Sequence, residues 1–195
     1  MGREGILRRS HTACFTDSAS RPSRTFRAEP LEVGLRDLGP TMAPFNAFLT
    51  IAGTETLSLR MERHVANAAR VAAWLEADPR VAWVSHADLP SSPYRALAAR
   101  YLPRGAGSVF TFGVRGGYDA GLRVVEACEL FSHLANIGDT RSLILHPAST
   151  THRQLTDAQR DAAGAGDDVV RLSVGLEHVE DLIADLDAAL DAAHK

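Results

Sequence analysis

Apolar positions along this chain begin to recur regularly only after residue 41. Between Pro44 and Pro79 they return at spacings of three and four, which is the helical period: Leu57, Met61, Val65, Ala68, Ala72 and Leu75. Pro44 suits a first helical turn, and Pro79 stops the pattern. The sequence therefore predicts one long amphipathic helix, broken or bent near Gly53. At 1.5 Å per residue, about 30 residues span roughly 45 Å, which is long enough to connect two domains.

The rest of the chain mixes short apolar runs with helical stripes. Strands are predicted at residues 81–84, 108–114, 143–145 and 169–176. Helices are predicted at residues 91–100, 120–130, 157–163 and 179–190, the last with acids between its apolar positions. Because the few short strands show no βαβ repeat, the pattern favours an α+β fold, with a short sheet and helices packed on it.

The first 32 residues differ in composition from the rest of the chain. They carry six arginines, Arg3, Arg8, Arg9, Arg21, Arg24 and Arg27, and few acids. No apolar stripe accompanies these arginines, so a disordered or non-family extension is favoured over a transit peptide. We expect three parts: an extension over 1–32, an interdomain long-helix region over 33–78, and a C-terminal α+β domain over 79–195.

Charge and cysteine content limit the binding partners and the cellular compartment that we expect for this chain. A net charge of −3 and a pI near 6.2 give no electrostatic case for nucleic acid or for an anionic membrane surface. No apolar run approaches the roughly 20 residues needed to span a bilayer. Cys14 and Cys128 lie far apart and do not make a disulfide framework, so a cytoplasmic location is the simplest expectation.

Arg171 is the sharpest candidate for a binding residue. In the strand around it, alternation places Val170, Leu172 and Val174 on one face and Arg171 with Ser173 on the other. A guanidinium held on a rigid strand binds a carboxylate through two parallel hydrogen bonds, a common way to orient amino acids. The pattern alone still favours the alternative, a solvated arginine on an open sheet face.

The segment 136–152 is rich in small polar residues that offer amides and hydroxyls to an anion. His146 and His152 match no standard zinc spacing and no cysteine supports them, so no metal is expected. A serine nucleophile is disfavoured because no nucleophile elbow is present. Turn chemistry and a hydrogen-bonded histidine remain the simpler interpretation.

One further polar cluster lies on the predicted long helix. Arg60, Arg63 and His64 fall within little more than one turn. A solvated helix face is the favoured interpretation, and an interface or interdomain contact is the alternative.

Motifs along residues 33–195 resemble one enzyme family, the Cys/Met-metabolism enzymes that use pyridoxal phosphate. The branch most similar is O-acetylhomoserine sulfhydrylase, also called O-acetylhomoserine aminocarboxypropyltransferase. Related cystathionine γ-synthases and lyases, the alternative branch, usually carry serine where Asn136 stands. The motifs that carry the resemblance are GLRDLGP from Gly34, PFNAF from Pro44, ETL from Glu55, LRMERH from Leu59, LPSSPY from Leu89, FSHLANIGD from Phe131, LHPASTTH from Leu145 and RLSVG from Arg171.

The resemblance implies a fold, a reaction and three substrate-binding residues. It implies the small C-terminal domain and linking helix of the type I, aspartate-aminotransferase-like fold. In the family, the residue matching Arg171 binds the substrate α-carboxylate, and Asn136 and Thr150 would line the same site. The family reaction replaces the acetoxy group of O-acetyl-L-homoserine with sulfide or methanethiol, giving homocysteine or methionine.

The sequence departs from the family at the cofactor. Its only lysine is Lys195, on a polar chain end, and the other fixed cations are arginines. A Schiff base needs an amine that can lose its proton in a shielded pocket, which a guanidinium does not provide. We therefore assign no catalytic residue, leave the cofactor-binding residues unknown, and do not expect the chain alone to hold pyridoxal phosphate covalently.

Three functional hypotheses remain, all with a small amino acid as ligand. The favoured one is an inactive C-terminal fragment of the transferase that lacks the cofactor-binding large domain or its homo-oligomer partners. The second is half of a split enzyme, completed by a separately encoded large domain. The third is a non-catalytic carboxylate-binding or interaction module.

Overall fold

The computed structural model describes Gly39 and residues 41–195. The extension predicted over 1–32 lies outside the described residues. The chain divides into two compact units, Met1–Gly53 and Thr54–Lys195. The helix from Leu57 onward belongs to the second unit, together with the strands of the described region.

The break predicted near Gly53 lies three residues further on, at Thr56, and divides the region into two helices. Helix α1 spans Pro44–Glu55 and helix α2 spans Leu57–Ala77. Gly53 stays helical, and the interruption falls at Thr56, whose φ of −102° and ψ of 6° lie outside helical values. Thr56 is a β-branched residue with weak helix propensity, and its side chain makes no capping hydrogen bond.

Helix α2 buries only its C-terminal two-thirds. Its buried residues are His64, Asn67, Ala68, Val71, Ala72 and Leu75. Leu57 and Met61, predicted at the start of the apolar stripe, are exposed instead. The buried stripe therefore begins with two polar side chains rather than with leucine and methionine.

Five strands form a single sheet in the order β1-β2-β5-β4-β3. The strands are β1 Val81–Ser85, β2 Val109–Val114, β3 Ser132–His133, β4 Leu143–Leu145 and β5 Val169–Ser173. Strands β1, β2, β5 and β4 are antiparallel to their neighbours, and β3 pairs with β4 in parallel. Strand β5 thus lies at the centre of the sheet, where it is held from both sides.

Four further helices complete the second unit. They are α3 Arg95–Tyr101, α4 Gly117–Ala127, α5 Asp157–Ala162 and α6 Val179–Ala193. Helices α2, α4 and α6 pack on one face of the sheet. The core between them contains Leu75, Phe112, Val124, Leu172 and Leu186, each fully or almost fully buried. The mixed α+β class predicted from the sequence is confirmed.

Most predicted elements are present, with shifted ends. Helix α3 begins at Arg95 rather than Ser91, because the Ser91 hydroxyl is hydrogen-bonded to Glu76 instead of capping the helix. Helix α4 begins at Gly117, directly after Gly116 with φ of +106°, and ends at Ala127. Strand β5 ends at Ser173. The Val174 N–H still bonds Ser108 beside β2, but the Val174 carbonyl accepts from His64 of α2 and the Leu176 N–H bonds Thr140 of a loop.

Two short elements of the structure were not predicted from the sequence. Strand β3 has only two residues, and a 3₁₀ turn spans Pro147–Ser149. Strand β3 lies just before the polar segment 136–152 and the 3₁₀ turn lies inside it, and each is too short to show an apolar period. Within the described part of the chain, no helix is both long enough and apolar enough to cross a membrane.

Candidate carboxylate-binding site

Strand β5 places Arg171 on the sheet face opposite the helical core. Val170 and Leu172 are fully buried beneath α2, α4 and α6, and the pleat turns Arg171 to the other side. Its register neighbours are Thr111 on β2 and Leu145 on β4. Because two strands flank it, the backbone that carries the guanidinium is fixed, and the Arg171 side chain is half-buried.

The structure places Asn136 next to Arg171. The Arg171 Nη2 lies 3.5 Å from the Asn136 main-chain carbonyl oxygen, to which it donates. The Asn136 side-chain oxygen accepts the Ile137 N–H at 2.9 Å. Within residues 41–195 the side-chain amide nitrogen of Asn136 donates no hydrogen bond, so it can donate to a ligand.

Thr150 lies just after the 3₁₀ turn, and its hydroxyl is engaged locally. It donates to the His146 carbonyl at 2.7 Å, and the Thr150 N–H bonds the Pro147 carbonyl at 3.2 Å. No hydrogen bond joins Thr150 to Arg171 in the described region. The role predicted for Thr150 in the site therefore stays a prediction.

His146 is a buried structural histidine. Its Nε2–H donates to the Asp167 carbonyl at 2.9 Å, and its Nδ1 lies 3.0 Å from the Ser149 hydroxyl. The Tyr118 ring packs edge-on against it at 4.9 Å. Both ring nitrogens are thus used by the protein, which agrees with the simpler interpretation made from the sequence.

Other potentially reactive groups show no sign of a second site. His152 has its Nδ1 2.8 Å from the Thr151 hydroxyl. No group of three or more metal-ligating side chains occurs among the described residues. Burial, with Asp185 beside the thiol, raises the pKa of Cys128 to about 12, so this free cysteine is protonated at neutral pH and is a poor nucleophile.

Two residues of α2 support the end of β5, and the sequence interpretation missed them. His64 is 1% exposed and donates through Nδ1 to the Val174 carbonyl at 2.6 Å. Asn67 donates to the Gly175 and Glu177 carbonyls at 3.0 Å and 2.9 Å. The solvated helix face predicted for His64 is therefore wrong. The available signal was spacing, because positions 64 and 67 continue the buried stripe of α2.

A second support comes from the loop after β3. The Ser142 N–H and hydroxyl both donate to Glu177, at 2.7 Å and 2.9 Å, and Ser142 is fully buried. The Gly175 N–H donates to the Ser142 hydroxyl at 2.7 Å. A β-carbon at Gly175 would lie 2.5 Å from the Arg141 carbonyl carbon and the Ser142 nitrogen. Only glycine therefore lets the two backbones approach this closely.

Comparison with known proteins identifies the family. The profile of the Cys/Met-metabolism PLP-dependent enzymes matches residues 14–191. That match begins inside the segment 1–32 and continues through the whole sheet. The chain belongs to this family of pyridoxal-phosphate-dependent enzymes.

Curated relatives have names from one branch of the family. The chain is 52% identical over 157 residues to O-acetyl-L-homoserine sulfhydrylase 1 of Thermus thermophilus, covering 80% of this chain and 37% of that protein. It is 50% identical over 183 residues to homocysteine synthase of Schizosaccharomyces pombe, covering 94% and 42%. The chain thus spans about two-fifths of the length of these relatives.

A solved structure supports the fold. A crystal structure from Campylobacter jejuni, of a protein assigned as O-acetylhomoserine (thiol)-lyase, matches with a TM-score of 0.77 and 39% identity. The match covers 89% of this chain and 41% of that one. The Campylobacter protein contains a lysine joined to pyridoxal phosphate as N'-pyridoxyl-lysine-5'-monophosphate.

The residues of this chain do not fit such a covalent cofactor site. Lys195 is the only lysine, and it is exposed beyond the end of α6. A Schiff-base lysine needs burial to lower the pKa of its amine, and an exposed chain end does not supply that burial. The described site holds the Arg171 guanidinium and polar groups, and no amine.

Proposed function

We propose that this chain supplies the α-carboxylate-binding part of a pyridoxal-phosphate-dependent transferase. The reaction would convert O-acetyl-L-homoserine with sulfide or methanethiol into homocysteine or methionine. In this proposal residues 57–195 correspond to the small C-terminal domain of the type I fold and the helix that leads into it. The observation that carries the proposal is that Arg171, on the central strand β5, lies beside Asn136 of the loop after β3.

The geometry suits a carboxylate because most of the Arg171 fork is available. The Asn136 carbonyl occupies one N–H direction at a long distance, 3.5 Å. The remaining N–H groups can form two parallel bonds to a carboxylate, a charge-assisted arrangement stronger than neutral hydrogen bonds. The Asn136 amide nitrogen would add a third donor, and Thr150 would line the wall of the same site.

Exposed apolar residues border the sheet face that carries Arg171 and favour coverage of that face by another domain or subunit. Val109, opposite Ser173 in the sheet register, is 40% exposed, and Leu134 and Ile137 are exposed by 51% and 61%. Exposed apolar groups around a polar anchor are typical of a surface that another domain or subunit covers. We infer that the amine, the cofactor pocket and this cover come from other residues, within a longer polypeptide or from a separate chain.

Binding of a free amino acid tests the carboxylate assignment directly. The ¹⁵N-arginine-labelled chain is titrated with L-methionine and, as a matched ligand without a carboxylate, L-methioninol, and the Arg171 Nε–H signal is followed. We expect methionine alone to shift this signal, with a Kd on the order of 1–10 mM for one charge-assisted pair. Arg171→Ala should remove saturable binding, and the exposed Arg104→Ala should retain it.

A further inference from the structure

The loop that faces Arg171 is fastened along the end of β5. Five hydrogen bonds join the loop to Ser173 and the residues after it: Gly138 N–H to the Ser173 hydroxyl at 3.2 Å, Gly175 N–H to the Ser142 hydroxyl at 2.7 Å, Leu176 N–H to the Thr140 carbonyl at 2.9 Å, and the Ser142 N–H and hydroxyl to Glu177 at 2.7 Å and 2.9 Å. Four of these bonds fasten residues 140–142. The part that contains Asn136 is held by the Ser173 bond and by the long contact from Arg171 itself.

Ser173 is placed to act on Arg171 through this bond. It is two residues along β5 from Arg171, so both side chains point to the same face of the sheet. It is 2% exposed, so its hydroxyl is buried at the sheet, where it accepts the N–H of the exposed Gly138. Gly138 has φ of +74°, a conformation that glycine adopts freely, so the turn has little rigidity of its own.

We propose that Ser173 is a positioning residue for the carboxylate site. Its hydroxyl accepts the Gly138 N–H and thereby holds the Asn136 carbonyl against the Arg171 guanidinium. That contact selects the orientation of the arginine fork that meets a carboxylate. The inference rests on the proposed function, because it assigns the Arg171 site a carboxylate ligand.

Loss of the hydroxyl would act locally. Without it, the bonds at Gly175, Leu176 and Glu177 still fasten residues 140–142, while the turn at residues 136–138 loses its anchor. Arg171 then gains rotamer freedom that a ligand has to remove on binding. Ordering one such side chain weakens binding by about three- to tenfold.

The test compares Ser173→Ala with Ser173→Thr, which keeps a hydroxyl at the same position of the strand. The readouts are the Gly138 amide exchange rate and the Kd for L-methionine from the Arg171 Nε–H titration. Thr156→Ala serves as the matched control, because it removes a hydroxyl that caps α5, at an exposed site. We expect Ser173→Ala to speed Gly138 exchange and to weaken methionine about three- to tenfold. Ser173→Thr and Thr156→Ala should bind as the wild type does.

The possible outcomes separate this inference from the proposed function. Wild-type binding of methionine with unchanged affinity in Ser173→Ala would overturn the inference and leave the proposed function standing. Absence of methionine binding by the wild type would overturn both. If Ser173→Ala does not fold, the exchange rate of the Gly138 amide in the wild type tests the inference instead. A Gly138 amide protected and further slowed by methionine supports the inference, and one exchanging as fast as an open loop overturns it.

Discussion

Arg171 shows how much a two-residue period can predict about a single side chain. Alternation along Val169–Ser173 was enough to separate its face from that of Val170 and Leu172. Its neighbour across the sheet was not predictable, because register depends on pairing between distant segments. The proximity of Asn136 was implied by the family resemblance, and the structure now gives it a distance, 3.5 Å.

His64 shows the opposite case at the same scale. Spacing along α2 gave a sign of its burial, but its partner is a main-chain carbonyl 110 positions away, which no spacing identifies. Such a bond is specified by the docking of α2 on the sheet rather than by any pattern inside α2. Ser173 was placed correctly on the Arg171 face, but its bond to Gly138 was equally invisible in the sequence.

His86 leads to a pH prediction. Burial lowers its pKa, against an opposing effect of Asp88, and its Nε2 has no hydrogen-bond partner among the described residues. Below about pH 6.5 the unfolded chain therefore takes up a proton that the folded chain resists. The unfolding free energy should be fully retained above this pH and should fall as the pH decreases toward the lowered pKa.

His86→Asn removes the titration and keeps an acceptor near the position of Nδ1. Urea denaturation between pH 5 and 7 should give a flatter dependence of stability on pH than in the wild type measured in the same buffers. The slope attributable to one group is at most about 1.4 kcal/mol per pH unit. Equal slopes in the two proteins would show that His86 does not titrate as described.

At the scale of elements, strong apolar periodicity predicted which helices and strands are present better than it predicted where they end. Strand β4 was predicted with its observed ends, since Leu143–Leu145 is an uninterrupted apolar run. Strand β5 was predicted three residues too long because Val174 and Leu176 continue its apolar pattern. The Val174 N–H still bonds Ser108 in the β2–β5 register, but the Leu176 N–H bonds Thr140 in the β3–β4 loop, so a tertiary contact ends the ladder there.

The close approach at Gly175 predicts the effect of one added methyl group. Gly175→Ala would place a β-carbon 2.5 Å from two backbone atoms, of Arg141 and Ser142, which cannot move away as a flexible side-chain tip does. Overpacking of this kind costs about 1–3 kcal/mol. Denaturant unfolding should show that loss, together with weaker methionine binding as the loop lifts.

Gly53→Ala is the control for Gly175→Ala, because nothing lies within 4 Å of its added carbon and its φ is not positive. This change should leave methionine binding unchanged. A Gly175→Ala chain as stable as the wild type would mean that the loop and β5 are not packed this closely in solution.

An ion network fastens the start of β1 to α6 and should contribute to stability. Arg80 donates to Asp78 and Asp187 at 2.5 Å and also to Asp191. The hydrogen bond from Arg80 lowers the pKa of Asp78, whose side chain is only 7% exposed. Removal of Arg80 would leave that carboxylate charged and nearly buried.

Arg80→Met should therefore lower the unfolding free energy by about 1–3 kcal/mol at neutral pH. The difference should shrink in acid, because the contribution of a carboxylate with a lowered pKa is lost as pH falls through that pKa. Arg70→Met is the matched control: its pair with Glu180 is exposed by 63% and 58%, so the loss should stay below about 0.5 kcal/mol. Equal losses in both variants would contradict this explanation of the network.

At the scale of the whole molecule, the candidate carboxylate site does not contain the lysine that a Schiff base with pyridoxal phosphate would need. The described residues bring a guanidinium, an amide and a glycine turn together on one sheet face. The single lysine, Lys195, is exposed beyond the last helix. Sequence reasoning showed directly that Lys195 is the only lysine, because counting lysines requires no knowledge of contacts. It could not reach the supporting contacts of α2 and the β3–β4 loop, which depend on the folded sheet.

The most direct measurement is homocysteine formation by the purified 195-residue chain supplied with pyridoxal phosphate, O-acetyl-L-homoserine and sulfide. We expect no turnover and no borohydride-stable pyridoxyl adduct on Lys195. We also expect turnover to appear when the part of the Thermus thermophilus relative that this chain does not match is added, and Arg171→Ala to reduce it by at least about tenfold. Homocysteine formation by the chain with no second polypeptide present would contradict the central claim.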